Sequence, residues 1–280
     1  MIRLAIVIVS FNTRRDLHAC LRSLHEGPPD LSHVVVVVDN GSSDGSVRAV
    51  RTAWPDVRVV EMGRNAGFAA ASNAGIRSCD SDLVLLLNSD TIVPPGSVDR
   101  LAAALEEDAA AAAAGPRLVD SDGRLELSFG RMLSPWNEAR QKLIALAIAA
   151  GIPPIAGWFA RRVTTPHHPD WVSGACLLVR RAAGAAAGWL DERFFLYGED
   201  VDFCAALRAA GHRILFTPAA EVVHLRGRSG AADRAAARAA YRRSQIAFYV
   251  KHHPRWAGVL RLYLRARGQH PPPSPQEPAP

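Results

Sequence analysis

Three times in the first ninety residues an unbroken apolar run closes abruptly in small polar residues, and this pattern constrains the fold most. Leu4–Val9 runs into Ser10-Phe11-Asn12, Val34–Val38 into Asp39-Asn40-Gly41, and Leu83–Leu87 into Asn88-Ser89-Asp90. A run without polar alternation suits a strand covered on both faces. A weaker run, Val57–Glu61, precedes Arg64-Asn65-Ala66-Gly67-Phe68. Between the runs, Leu17, Cys20, Leu21 and Leu24 recur at helical spacing, and Thr13 or Asp16 can cap that helix. A small-residue helix is expected through Asn73 to Arg77, and another after Pro94-Pro95-Gly96, buried by Leu101 and Leu105. The alternation β-α-β-α-β-α-β predicts a parallel α/β sheet.

Ligands of such sheets bind beyond the carboxyl ends of the strands. Ser10, Asn12, Asp39, Asn40, Asn65, Gly67, Asn88 and Asp90 are therefore expected around one polar crevice. Taken alone, Asn88-Ser89-Asp90 reads equally well as a turn. The agreement of four neighbouring strand ends favours a site. An aspartate such as Asp39 can accept the ring N–H of a uracil or thymine. Asp90 can give a carboxylate to Mg²⁺ or Mn²⁺, which usually takes one or two carboxylates plus substrate phosphates.

After Gly115 the rhythm changes. Asp120-Ser121-Asp122-Gly123 predicts a hairpin turn. Leu143–Ala160 is uncharged, with Gly151, Pro153 and Pro154 inside it. Trp171–Val179 predicts a strand, and Glu199–Ala210 a helix opening on acids. Ile214–Phe216 and Val222–His224 read as two short strands, and Ala231–His252 as a long helix. Gly268 to Pro280 is proline-rich and polar, a composition that predicts disorder.

Charge and motifs exclude several functions. From Ala205 to Arg267 there are 13 Arg and Lys against Glu221 and Asp233, a basic balance that suits phosphates or anionic lipid. No helix-turn-helix, zinc-finger or ribonucleoprotein signature accompanies it, so nucleic acid is not the expected partner. There is no G-x-x-x-x-G-K-[ST] and no G-x-G-x-x-G after the first run, which argues against a P-loop NTPase or a dinucleotide enzyme. Cys20, Cys79, Cys176 and Cys204 have no zinc-ligand spacing, and a reducing, cytoplasmic setting is expected. The opening apolar run is too short for a secretory signal or a membrane span.

Six separated blocks, IVIVSFN, VVDNGSSDGS, RNAGFAAASNAG, LLLNSDT, WVSGACLLVRR and FFLYGEDVDFCAALRAAGHRI, occur in this order. Together, over Ile2 to Ser229, they resemble the family 2 inverting nucleotide-sugar glycosyltransferases, nearest the bacterial rhamnosyltransferase-like branch. The resemblance implies an α/β A-type glycosyltransferase (GT-A, nucleotide-diphospho-sugar transferase) fold, with a mostly parallel central sheet flanked by helices. It divides residues 1–230 into a nucleotide-binding half, 1–115, and an acceptor-binding half, 116–230. A basic helical arm, 231–268, and a disordered tail, 269–280, would follow.

Site roles follow from the same resemblance. Asp39 matches the base-recognition aspartate, and Ser10, Asn12, Asn65, Gly67 and Asn88 would help bind the nucleotide. Asp90 matches the last acid of the D-x-D metal motif, whose first acid is replaced here by Asn88. His224 would join Asp90 on Mn²⁺ or Mg²⁺, and Arg226 and Arg228 would face the diphosphate. Asp200 of the Glu199-Asp200 pair matches the catalytic base, with Glu199 beside it. Read without the family, these acids simply favour a helix start. Asp191 is a candidate for orienting the acceptor, and Trp171 and Trp189 for stacking on sugars or for core packing.

The implied function is transfer of a sugar, L-rhamnose from dTDP-rhamnose being favoured, to a saccharide or polyprenyl-linked saccharide in cell-envelope polysaccharide synthesis. UDP-linked and other dTDP-linked donors use the same blocks. A non-catalytic binding homologue is the alternative that Asn88 favours. The enzyme is expected on the cytoplasmic side, peripheral on an anionic membrane surface. Leu143–Ala160 would lie there as two short interfacial helices, beside aromatic and basic residues of Arg234–Arg267. A homodimer is compatible with the sequence.

Overall fold

The computed structural model describes residues 2–150, 153, 157, 161–225 and 234–272. The predicted alternation is present: β1 (Leu4–Ser10), α1 (Arg14–Glu26), β2 (His33–Asp39), α2 (Ser46–Ala53), β3 (Arg58–Glu61), α3 (Phe68–Arg77) and β4 (Leu83–Asn88). β5 (Thr91–Ile92), α4 (Ser97–Glu107) and β6 (Ala111–Val119) follow. The second half contributes β7 (Phe129–Gly130), α5 (Pro135–Ala149), β8 (Trp171–Val172), β9 (Cys176–Arg180), α6 (Arg181–Ala186), α7 (Glu199–Ala209) and β10 (Arg213–His224). The arm is α8 (Arg234–His252) and α9 (Pro254–Ala266).

Eight strands form one sheet in the order β3-β2-β1-β4-β9-β6-β10-β5, and β7 pairs with β8 apart from it. β3, β2, β1 and β4 are mutually parallel, as are β6 and β10, while β9 and β5 run antiparallel to their neighbours. Side chains alternate between the faces of a strand. Ile6 and Ile8 thus join Leu17, Leu21, Leu101 and Leu105 on one side, while Val7 and Val9 join Ile76, Phe203 and Leu207 on the other. Burial on both faces is why these strands read as unbroken apolar runs.

Some elements differ from the sequence reading. Trp171–Val179 is two strands, because Ser173-Gly174-Ala175 leave the ladder to meet Asp200 and Asn88. Ile214–Phe216 and Val222–His224 are one strand, Arg213–His224, whose register shifts between Thr217 and Glu221. Pro218 lies in that irregularity, where a missing N–H costs no ladder bond. No side chain caps α1: Thr13 Oγ1 bonds Ser10 and Ser89 instead.

The basic arm is not detached. Phe248, Tyr249 and Ala257 are buried against Phe194 and Val201. Tyr249 donates to Glu138 at 2.7 Å, and Ser244 donates to the Leu196 carbonyl at 2.9 Å. The tail expected to be disordered from 269 begins in order, since Gln269 accepts from Arg242 at 2.6 Å; its residues 273–280 lie outside the described residues.

Candidate active site

The parallel register aligns the strand ends: Ser10 faces Asp39 across β1–β2, and Val9 faces Asn88 across β1–β4. β10 reaches the same edge antiparallel to β5, so His224 faces Thr91 and Leu225 N–H bonds the Asp90 carbonyl at 2.8 Å. The resulting crevice is lined by Phe11, Asn65, Gly67, Asn88, Asp90, Tyr197 and His224, among others, with a volume of about 210 Å³. Residues 134 positions apart thereby become neighbours: His224 Nε2 stands 3.4 Å from Asp90 Oδ1.

Turn geometry fixes the rest of the rim. Asn40 donates to Asn65 Oδ1 at 2.9 Å and accepts from Ala66 N–H at 2.9 Å, locking the loop before α3. Gly67 has φ +89°, and a Cβ there would stand 2.6 Å from the Phe195 carbonyl oxygen. The adjacent Phe68 N–H bonds that same carbonyl at 2.8 Å, so glycine allows the 194–198 loop to close over the crevice. Gly41, φ +84°, is as restricted: a Cβ would meet Arg64 backbone at 2.7 Å.

Asp39 is buried. Its Oδ2 accepts from Gly41 and Ser42 N–H at 3.2 and 3.1 Å, whereas Oδ1 has no hydrogen-bond partner among the described residues. A buried acceptor without a donor is costly unless a ligand supplies one. Asp200 accepts from Gly174 N–H and Val201 N–H, each at 2.8 Å. The next residue, Ala175, accepts from Asn88 N–H at 3.0 Å, which ties Asp200 to the end of β4. Burial pushes the Asp200 carboxyl up, against the pull of these N–H groups. Burial, then the Asp200 charge, pushes Glu199 up to about 8. Tyr197, φ +69°, lies between the two centres: burial raises its hydroxyl, and the charges of Glu199 and Asp90 add to that.

The model of the family described as "Glycosyl transferase family 2" matches residues 5–163. The chain belongs to glycosyl transferase family 2. It is 32% identical over 289 residues to the N-acetylglucosaminyl-diphospho-decaprenol L-rhamnosyltransferase of Mycobacterium tuberculosis, covering 94% of this chain and 89% of that one. Among solved structures it resembles the mannosyltransferase of Pyrobaculum calidifontis in complex with GDP-Man and Mn²⁺, with TM-score 0.59, 18% identity, and coverage of 92% of this chain and 68% of that one. It also resembles GalNAc-T7 with UDP, GalNAc and Mn²⁺, with TM-score 0.61, 16% identity, and coverage of 98% and 59%. The fold is the A-type glycosyltransferase fold, and the protein is a glycosyltransferase.

Not every predicted residue of this glycosyltransferase lines the crevice. Asn65, Gly67, Asn88, Asp90 and His224 do, whereas Asp39, Glu199 and Asp200 stand outside its lining. Ser10 is fully buried and bonds Thr13, which bonds Ser89, each at 2.9 Å: a hydroxyl chain that joins the buried Ser10 to Thr13 and Ser89 of the lining. Asn12, φ +54°, accepts from Ser43 N–H at 2.8 Å and serves to hold the turn after β2. Arg226 and Arg228 lie outside the described residues. Asp191 is spent on ion pairs with Arg193 and Lys251, at 2.6 and 2.8 Å. Trp189 stacks on Phe203, and Trp171 donates to the Arg131 carbonyl, so both are packing residues.

Glu126 is the residue that sequence reasoning missed. Its Oε2 lies 3.2 Å from His224 Nδ1 and orients the ring. Burial lowers the basicity of His224, but Asp90 and Glu126 outweigh it and push the imidazole up to about 9. No local signal marks Glu126, since it stands in an ordinary Leu-Glu-Leu stretch and meets His224 only through the fold. Among the described residues no three His, Cys, Asp or Glu side chains form a metal-ligating group. One carboxylate oxygen and one oriented imidazole nitrogen nevertheless fit a Mn²⁺ or Mg²⁺ ion that takes its other ligands from a diphosphate and water.

Proposed function

We propose that this glycosyltransferase moves L-rhamnose from dTDP-rhamnose, with inversion, to a diphospho-polyprenol-linked N-acetylglucosamine or a closely similar acceptor in cell-envelope polysaccharide synthesis. The observation that carries the choice of substrates is the near-full-length identity to the mycobacterial rhamnosyltransferase. The geometry supports the chemistry residue by residue. Asp39 Oδ1 accepts the ring N–H of the base and gains the donor it lacks. Asn65 and Asn88 give the crevice amide groups for the nucleotide. Asp90 and His224 hold the divalent ion, with Glu126 behind His224. When bound, that ion acts as a Lewis acid and stabilises charge on the departing diphosphate.

Asp200 is the proposed base. Its backbone partners hold the carboxylate in place, and its raised basicity suits removal of a proton from the acceptor hydroxyl. That oxygen attacks the anomeric carbon from the face opposite the diphosphate, so the configuration inverts. Arg226 and Arg228 are kept as proposed diphosphate ligands.

The enzyme is further proposed to work at the cytoplasmic membrane surface without crossing it. No helix among the described residues is long and apolar enough to span a bilayer. The decisive experiment is incubation of the purified chain with dTDP-rhamnose, UDP-sugars and a synthetic N-acetylglucosaminyl-diphospho-lipid. Rhamnosylated product with release of dTDP is expected. Transfer from a UDP-sugar with none from dTDP-rhamnose would overturn the donor assignment.

A further inference from the structure

A second cavity, of about 500 Å³, opens along Leu127–Arg131 and α5. One stretch of chain connects the two: Glu126 holds His224 of the crevice, and Leu127, Phe129, Gly130 and Arg131 line the cavity. Arg131 lies five residues from Glu126, on the order of 15 Å if extended, comparable to a sugar with its diphosphate.

The cavity is cationic. Arg131, Arg140 and Arg162 line it, against Asp170 as the one carboxylate of its lining. Asp170 is already engaged: Oδ1 lies 3.0 Å from Arg208, and Oδ2 accepts from Met132 N–H at 2.8 Å. His168 is turned to Asp108 at 2.5 Å. Arg162 stacks on Phe129, 5.9 Å from the ring centre. Arg131 and Arg140 form no ion pair among the described residues. Clustered guanidinium groups repel one another and gain most from an anion with several oxygens, which each can bind through two N–H groups.

The helix beside the cavity adds the second requirement. Asn137, Arg140 and Ile144 face the cavity at i, i+3 and i+7. On the neighbouring face Trp136, Leu143 and Leu146 are 78%, 67% and 67% exposed. An apolar ridge directly beside a cationic cavity matches a ligand that is a diphosphate at one end and a hydrocarbon at the other.

We propose that this cavity binds the diphosphate of the lipid-linked acceptor through Arg131, Arg140 and Arg162, and that Trp136, Leu143 and Leu146 take the first part of its isoprenoid chain. The assignment of the acceptor rests on the function proposed above; the anion site does not.

The test uses the full chain, the double variant Arg131→Ala/Arg140→Ala and its conservative counterpart Arg131→Lys/Arg140→Lys. Both positions are exposed, so all three proteins should unfold at the same temperature. Farnesyl diphosphate is titrated by calorimetry in EDTA, beside farnesol and inorganic pyrophosphate. The wild type should bind farnesyl diphosphate at least about tenfold more tightly than the alanine variant does, with the lysine variant between them. Inorganic pyrophosphate should bind more weakly than farnesyl diphosphate, and farnesol should not distinguish the proteins. Equal binding of farnesyl diphosphate by wild type and alanine variant, or none by either, overturns the site. Pyrophosphate binding as tight as that of farnesyl diphosphate overturns the role of the apolar ridge. In transfer assays the alanine variant should raise KM for the diphospho-lipid acceptor about tenfold, leaving KM for the donor unchanged, and should match the wild type on an alkyl glycoside lacking the diphosphate. Equal losses on both acceptors would overturn the proposal. Failure of the function alone would leave farnesyl diphosphate binding intact.

Discussion

Lys251 Nζ lies 2.7 Å from Asp202 Oδ2, so the carboxyl-terminal arm is fastened to the helix that begins with Glu199 and Asp200. His252 Nε2 meets the other oxygen of Asp202 at 2.6 Å, and the same ammonium reaches Asp191 at 2.8 Å. Asp202 is buried, and its two oxygens face cationic or hydrogen-bonding groups of the arm. The arm thereby sets where α7 stands, although none of its described residues lines the crevice.

Replacing Lys251 by Met keeps most of the packed length and removes the charge. Asp202 then retains only the histidine, and stability should fall by about 1–3 kcal/mol. Urea denaturation measures it. An unchanged midpoint would mean that Lys251 adds nothing to the hold that His252, Ser244 and the buried Phe248, Tyr249 and Ala257 already provide.

The early half of this architecture was legible because its strands are buried on both faces and its helices are not. That difference is what periodicity reports, and β1, β2 and β4 were found to within a residue or two. Position was legible at the strand ends: Asp39 closes β2, and Asp90 follows β4 into the crevice lining. It was not legible where partners are brought from far along the chain. Glu126 reaches His224 only because its N–H bonds the Leu118 carbonyl of β6 and β6 lies beside β10, and Asp202 reaches Lys251 only because the arm folds back. Ser10 and Asn12 are at the right strand end, but their side chains satisfy the hydroxyl chain and the turn first.

Asp200→Asn should leave donor binding intact and cut transfer by about 10²–10⁴-fold, the usual worth of a general base. The amide keeps one accepting oxygen, so one of the two bonds, from Gly174 or from Val201 N–H, is retained and the other is lost. Calorimetric affinity for dTDP with Mn²⁺ and steady-state kcat are compared. A near-native kcat transfers the role to Glu199.

Glu199 is buried, and its carboxyl is moved from the ordinary 4.5 to about 8. A carboxyl raised in the folded state holds its proton there after the unfolded chain has released it, so its stabilising effect is present at low pH and is lost between about 4.5 and 8. Glu199→Gln removes this dependence. Relative to wild type, the variant should gain melting temperature at pH 8.5 and gain less, or lose, at pH 5. Parallel melting curves at the two pH values would show that Glu199 is not the group responsible.

Asp90 and His224 provide too few ligands to hold an ion tightly by themselves, so Mn²⁺ affinity should depend on the nucleotide. Electron paramagnetic resonance titration of free Mn²⁺ should detect weak binding by the protein alone and much tighter binding with dTDP present. Asp90→Ala should abolish the increase and His224→Ala reduce it. Tight nucleotide-independent binding would require ligands other than these two.

The membrane proposal now has a surface to test. On α9, Trp256, Val259, Leu262 and Tyr263 are 44%, 55%, 69% and 48% exposed, and Arg255, Arg261 and Arg265 stand among them. On α5, Trp136, Leu143 and Leu146 are exposed as well. Aromatic and basic residues together suit the interfacial layer of an anionic bilayer, where each cation contributes about 1 kcal/mol. A solvated helix gains nothing from such a face, and a dimer would cover it with a second copy. The purified chain should therefore float with vesicles containing anionic lipid, float less with neutral ones, and detach in part in high salt. Replacing Trp256 and Leu262 by serine should reduce flotation without lowering the melting temperature, because neither side chain is buried. If the chain stays in the soluble fraction with both vesicle types and sediments as a dimer, the exposed faces are an interface between copies, and the acceptor must leave the bilayer to reach Asp200.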